Sequence, residues 1–298
     1  MKKIPEFTNK TLKKIVNVYQ LNCTNSKSSG LGDYLRGCFC LLQLAKLLNI
    51  EFDIDVSNHP IAKFIKNVKS VEGVNYNNIE FFMENNSINH EYVIPLGKPN
   101  ISENFLRNVI TWFNSQHTEV FGLFSNAFPF FNQFKPEAIQ FIKSKFQPTP
   151  FMESYMEQSL THLGLSMGQP YEIIHIRTGD QHLIDNVSMT GSFIKKITKL
   201  VQGLIDPNKH YLILSDSNII KTHLKTIPNF HVLIKNIAHV GGEGLKTTED
   251  NGVMNTMLDF FLMSHSQAIL SLSVYNHISG FSQYCAILHG IPFQSIKI

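Results

Sequence analysis

The spacing of apolar positions changes repeatedly along the chain, and each change marks an element. Lys14 to Asn22, rich in Val, Ile and Tyr, reads as a strand, and a Ser/Gly cluster from Asn25 to Gly32 breaks it. From Asp33 to Asn49 apolar residues fall on nearly all sides (Leu35, Phe39, Leu41, Leu42, Leu44, Leu47, Leu48), the pattern of a helix buried by neighbours on several faces. Glu51 to Val56 alternates as a second strand. Strand, glycine turn, helix and strand make a βαβ unit, which builds parallel sheets with a ligand edge at the carboxyl ends of the strands.

From about residue 60 to 165 the pattern is mixed, with Asn-rich turns, an aromatic run (Phe121, Phe124, Phe128, Phe130, Phe131) and an amphipathic helix near Pro136 to Lys145. This stretch reads as the remainder of a first α/β domain. A Gly, Ser and Pro break at Gly164 to Pro170 places a domain boundary, giving domains of 1–166 and 167–298. The second half then repeats the alternation. It predicts strands at 171–176, 210–214, 230–234 and 268–272, and helices near 191–204, 217–225, 252–265 and 279–289, with a glycine-rich loop at Gly241 to Gly244. On the helix at 252–265, Met254, Met257, Leu258, Phe261 and Leu262 share one face. These are the ingredients of a Rossmann-like domain.

A length of 298 residues suits two cores, and 43% apolar against 16% charged residues supplies a packed interior without the charge excess of a disordered chain. The formal net charge is +3 with scattered lysines, so no basic footprint for duplex nucleic acid is present, while a small anionic ligand is compatible. Neither an export signal nor an uninterrupted apolar span is visible. Cys23, Cys38, Cys40 and Cys285 read as reduced core thiols, which points to the cytoplasm.

Four segments carry candidate chemistry. Ser29 to Gly37 is a glycine turn into a helix, which presents backbone N–H groups and the positive end of a helix dipole, or serves as a plain strand-to-helix connection. Arg36 stands where a nicotinamide-type G-x-G-x-x-G turn needs its third glycine, and Gly37 follows one residue late, which disfavours an oxidoreductase. Ile173 to Asp180 ends an apolar strand in His175, Arg177, Thr178 and Asp180; the guanidinium fork matches phosphate oxygens, the alternative being an Arg177–Asp180 pair. Leu214 to Asn218 ends the next strand in Asp216 and Ser217, suited to a ribose or a guanine edge, or to capping the following helix. Asp259 flanks an apolar stripe, and Ser279, Gly280, Phe281 and Ser282 open the last helix, with capping or a solvated face as their alternatives.

In this order the four pieces resemble the fucosyltransferase superfamily of bacterial nodulation, core α1,6-, bacterial α1,2- and protein O-fucosyltransferases. Gly30-Leu31-Gly32-Asp33 before an apolar helix resembles the family's G-x-G-[DN] turn, and His175-Ile176-Arg177 with Asp180 resembles its H-[IVL]-R motif. Ser215-Asp216-Ser217, Asp259 to Ser264, and Ser279 to Ser282 are similar to its later segments. The likeness covers residues 22 to 55 and 171 to 290. It departs at Thr178, where many relatives carry a second basic residue, and in a longer spacer between Leu270 and Ser279.

The resemblance implies a GT-B-like α/β architecture of two Rossmann-like domains facing a cleft, the first on the acceptor side and the second binding a GDP-sugar. It implies inverting, metal-independent transfer of L-fucose from GDP-fucose to a glycan or glycoconjugate hydroxyl, with no cofactor. The donor set is then Gly30, Gly32, His175, Arg177, Asp180, Asp216, Ser217, Asp259, Ser279, Phe281 and Ser282. Arg177 meets the charge growing on the leaving diphosphate, and Asp33 is the candidate base, or else a cap on its own helix. A GDP-sugar-binding protein without turnover, and a transferase using another GDP-sugar, stay open. The D-x-D at Asp53 and Asp55 lies on one strand face and reads as solvated rather than metal-binding. No H-E-x-x-H, phosphate-loop or nucleophile-elbow pattern occurs.

Overall fold

The computed structural model describes residues 6–24, 26–82, 103–131, 133–183, 189–242, 250–275 and 278–298. The chain forms two compact units, one of Met1–Ala62, Asn67–Lys145 and Gly241–Glu243, the other of Lys63–Lys66, Phe146–Val240 and Gly244–Ile298. The main division at Lys145 lies ahead of the composition break at 164–170, because the helix Pro150–His162 belongs with the second unit.

In the first unit, β1 (Lys14–Val18), α1 (Leu31–Leu48) and β2 (Glu51–Asp55) form the expected βαβ unit. The segments β3 (Glu80–Phe82), α2 (Glu103–Asn114), β4 (Val120–Ser125) and α3 (Pro136–Lys145) complete it. The sheet is parallel, in the order β2-β1-β4-β3. Leu41, Leu44 and Leu48 of α1 pack with Ile15, Phe121 and Leu123 of the sheet and with Val109, Ile110 and Phe113 of α2. Burial of these side chains supplies the main driving force for the unit.

The buried Asn17 of β1 keeps its polar atoms paired: its carbonyl accepts from the Ser125 amide at 2.9 Å and its amide group donates to the Cys38 thiol at 3.3 Å. Burial pushes the Cys38 thiol up to about 12 and raises Cys40 as well, so both are inert core thiols. Among the described residues no helix is long and apolar enough to cross a membrane.

The two aspartates of the D-x-D segment do not form a solvated face. Asp53 pairs with Lys145 at 2.6 Å, and Asp55, 1% exposed, accepts from the Ser57 amide and hydroxyl, the Val71 amide and the Tyr76 hydroxyl. That satisfied carboxylate ties down the loop after β2.

In the second unit, α4 (Pro150–His162) starts at Thr149, whose hydroxyl accepts from the Met152 amide while Pro150 fills the first turn. It is followed by β5 (Glu172–Arg177), the short α5 (Asp180–Leu183), α6 (Gly191–Gln202), β6 (Tyr211–Ser215), α7 (Asn218–Leu224) and β7 (Phe230–Val232). The chain continues as α8 (Asp250–Met263), β8 (Ile269–Ser273), α9 (Gly280–His289) and β9 (Phe293–Lys297). All strands are parallel, in the order β7-β6-β5-β8-β9. Ile174 and Ile176 of β5 pack on Ile197, Val201, Ile220 and Leu224 of α6 and α7, while α8 and α9 pack on each other.

In each unit the strand order reverses beside the first strand, between β1 and β4 and between β5 and β8. Ligands of open α/β sheets bind at the carboxyl edge beside such a reversal.

Candidate functional site at the carboxyl edge of the second sheet

Alternation along β5 puts Ile173, His175 and Arg177 on one face, so Arg177 leaves the sheet at its carboxyl edge beside β8. One terminal nitrogen of its guanidinium donates to Asp216 Oδ2 at 2.5 Å and the other to Asp180 Oδ1. The side chain is 15% exposed, and the two carboxylates hold its proton above the ordinary range against the opposing effect of burial. The fork expected to stand open to a ligand is thus engaged by two aspartates, the pairing that the strand-end alternative anticipated.

The two partners differ in what else holds them. Asp216, with a side chain 2% exposed, also accepts from the Thr178 amide (2.8 Å) and hydroxyl (2.7 Å) and from the Gly179 amide (3.3 Å). Its oxygens are engaged by the protein, so it positions Arg177 and the loop behind it. Thr178, fully buried, supplies two of those bonds, so the residue that replaces a second cation faces inward. Gly179 turns the chain at φ +113°, a conformation that L side chains rarely adopt. Asp180 has a side chain 49% exposed, and its Oδ2 accepts from the Tyr275 hydroxyl at 2.7 Å. Tyr275, on the loop after β8, was not anticipated. The position of a strand end beside the order reversal was the available signal.

Three other residues of the expected donor set make internal packing contacts. His175, 6% exposed, bonds to Ser282 Oγ at 3.2 Å, and Ser282, fully buried, donates to Ser271 Oγ at 3.0 Å. Burial pushes the His175 imidazole down to about 4, with Asp216 opposing, so it is neutral. Phe281 packs between His175 and Phe260 at 5.8 and 5.7 Å. These residues bind β5, β8, α8 and α9 together. Ser217 likewise caps α7, its hydroxyl accepting from the Ile220 amide. Ser279 holds the cap position of α9, 7% exposed and without a side-chain capping bond.

Asp259 is different. Partly buried on α8, it has no hydrogen-bond partner among the described residues, and burial pushes its carboxyl up to about 6 while Lys221 and Lys235 oppose. Around it is a polar cluster that sequence reading did not assemble. Lys221, 3% exposed, donates to the Lys235 carbonyl at 2.8 Å, and Lys235 donates to the Tyr155 hydroxyl at 2.8 Å. Asn255, one turn before Asp259, bonds Tyr155 and the Asn236 carbonyl, and Asn218 donates to Asn236 Oδ1 at 2.7 Å. Asn218 Oδ1 is buried without a partner. Orphaned buried acceptors are uncommon and call for an explanation.

In the first unit, the turn before α1 is held by Tyr19, which donates to the Ser29 carbonyl at 3.0 Å, and by Asn126, which donates to Ser29 Oγ at 2.9 Å. Tyr19 stacks between Tyr34 (4.2 Å) and His59 (3.8 Å) beneath it. Gly30 caps α1 with an ordinary φ of −66°, and Gly32 is buried within the helix. The position that needs glycine is Gly37: a Cβ there would lie 1.7 Å from the Ser125 carbonyl oxygen. The glycine that comes one residue late therefore does the helix-to-strand packing. Asp33 does not cap α1; its carboxylate pairs with Arg36 at 3.0 Å, and Arg36 also lies over Phe128 at 4.2 Å. Gly241 and Gly242 belong to this unit, where Gly242 donates to the Ser28 carbonyl at 2.8 Å; residues 243 and 244 of that loop lie outside the described residues. Among the described residues no group of His, Cys, Asp or Glu is arranged to hold a metal ion.

No protein-family model matches the chain, and no curated protein matches its sequence. Solved structures do match. The NodZ α1,6-fucosyltransferase co-crystallised with GDP aligns at a TM-score of 0.51 and 12% identity, over 93% of each chain. The fucosyltransferase NodZ from Bradyrhizobium gives the same values. POFUT1 in complex with GDP aligns at 0.43 and 12% identity, over 97% of this chain and 99% of that one. The chain therefore has the fold of the NodZ fucosyltransferase, a GT-B-like architecture built on two parallel α/β units.

Proposed function

We propose that the chain is a glycosyltransferase that moves L-fucose from GDP-fucose to a glycan or glycoconjugate hydroxyl, with inversion and without a metal ion. The second unit is the donor side and the first the acceptor side. The observation that carries the reading is Arg177, a guanidinium set at the strand-order reversal by a buried carboxylate, in a fold shared with a fucosyltransferase co-crystallised with GDP. Such a group is preorganised. As the bond to the sugar breaks, negative charge grows on the leaving diphosphate, and a fixed cation stabilises that charge more than it stabilises the bound donor.

The base is the second specificity element of the donor. Guanine presents N–H donors along one edge, and the cluster on α7 and α8 offers two acceptors without partners, the Asp259 carboxylate and Asn218 Oδ1. Lys221 and Lys235 supply positive charge beside them. Asp33 remains the proposed base toward the acceptor, and the buried, protonated thiols of α1 suit a cytoplasmic location.

The test is release of GDP from GDP-fucose with and without a panel of glycans. Arg177→Ala is expected to lower the rate about 10²–10³-fold, and Arg177→Lys, which keeps the charge but not the fork, to fall between. Full turnover by Arg177→Ala would falsify the mechanism. A second reading, a GDP-sugar-binding protein without turnover, is favoured by the pairing of Asp33 with Arg36. It predicts GDP binding by calorimetry with no release of GDP from the sugar nucleotide under any acceptor. Thermal stabilisation across a set of GDP-sugars identifies the sugar, since a ligand of the folded state raises the melting point.

A further inference from the structure

Arg177 is held by two carboxylates of unequal commitment. Asp216 is buried and bonded to the backbone and side chains of the adjacent loop, so it cannot leave without unmaking that loop. Asp180 is half exposed and has a second partner of its own: Tyr275 donates to its Oδ2 at 2.7 Å while the Tyr275 oxygen accepts from the Asp180 amide, also at 2.7 Å. Asp180 therefore presents one oxygen to the cation and the other to a phenol that holds it from the opposite side.

An Arg carries five N–H donors, and a phosphate takes the same planar fork that a carboxylate takes. Resting on the proposed nucleotide reading of this site, we infer that Asp180 is an internal stand-in for a donor phosphate on Arg177, and that Tyr275 is the positioning residue that receives Asp180 when the diphosphate displaces it. In the exchange, Arg177 trades the Asp180 oxygen for a phosphate oxygen and keeps Asp216. Asp180 keeps Tyr275 and its own amide contact, so the displaced carboxylate is not left without a hydrogen bond. Without Asp180 in place, Arg177 faces one carboxylate rather than two, and an anion meets less repulsion.

The experiment is GDP titration by calorimetry of the full chain and of Asp180→Asn, Tyr275→Phe and the double variant, with melting curves to check folding and Asp180→Ser as a second probe of the same position. Asp180→Asn and Asp180→Ser are expected to bind GDP about tenfold more tightly, the scale of one charge-assisted contact no longer displaced. Tyr275→Phe is expected to bind it roughly threefold more weakly, because Asp180 then keeps Arg177 as its remaining side-chain partner. The double variant should match Asp180→Asn, since the phenol acts through the carboxylate. A role limited to stability would not produce tighter binding. GDP binding that weakens in Asp180→Asn and Asp180→Ser, or a Tyr275 effect that persists in the double variant, overturns the inference while leaving the nucleotide site standing. Absence of GDP binding in every form overturns the nucleotide reading and this inference with it.

Discussion

The two units carry their strand-order reversals in the same place, yet opposite chemistry closes the edge there. Beside β1 the strand end is aromatic: Tyr19 stacks between Tyr34 and His59, and Gly37 brings α1 against the end of β4. Beside β5 it is ionic: Arg177 is gripped by Asp216 and Asp180, and Thr178 and Gly179 close over Asp216. Stacked rings leave the charge of the first unit, Asp33 and Arg36, on the helix rather than on the strand end. In the second unit the strand itself ends in a paired cation, so the same topology is finished by stacked rings in one unit and by an ion-pair network in the other.

Breaking the ionic edge should have the larger effect on stability. Asp216→Ala removes a buried carboxylate and leaves Arg177 with only its half-exposed partner, and is expected to destabilise the second unit by about 3–5 kcal/mol, the scale of breaking a buried ion pair from one side. Urea unfolding measures this, and an effect within error of zero would mean that Asp216 does not organise the edge. On the aromatic side, Gly37→Ala forces a methyl group onto the Ser125 carbonyl. Overpacking of that kind costs about 1–3 kcal/mol, and the loss should appear in the same assay without altering GDP affinity. An altered affinity would mean that the aromatic edge also takes part in binding.

The smallest effect sharpens the contrast through pH. His175 is held near 4 in the folded chain, below its ordinary value of 6.5, so the unfolded chain takes up the proton first and stability is lost as pH falls through that interval. Asp259 runs the other way: held near 6, above its ordinary 3.8, it contributes fully in acid, and its contribution is lost as pH rises. In the shared window the two slopes oppose. His175→Gln should therefore make the acid loss of stability shallower and Asp259→Asn make it steeper, each by at most about 1.4 kcal/mol per pH unit. Denaturant melts across the window read both, and parallel profiles for all three proteins would refute the assignment.

Local pattern was enough to read the βαβ units, because the apolar residues on nearly all sides of α1 and the apolar runs of β5, β6 and β8 come from burial of consecutive residues. It was not enough for β9 at Phe293–Lys297, an edge strand whose partly exposed residues have no burial pattern to read, nor for α4, whose polar residues mask a narrow buried stripe. The place of Arg177 and Asp180 at the carboxyl end of β5 was legible for a similar reason: an apolar strand that ends in charge marks its own boundary. The roles of their neighbours were not, because those roles are set by partners far away in the chain. Tyr275 meets Asp180 across 95 residues and Ser282 meets His175 across 107. Within segments that resemble a donor motif, His175 and Ser282 also form a polar link in the core between β5 and α9.

The first unit also contains a tail end that no contiguous gene segment supplies. Gly242 sits so tightly on the stretch before α1 that a Cβ would lie 2.0 Å from the Leu21 carbonyl oxygen, and its amide satisfies the carbonyl of Ser28. A fragment cut after Lys145 would lose that contact and the amide that satisfies Ser28. Anyone exchanging halves between homologues should therefore graft three pieces of chain rather than two.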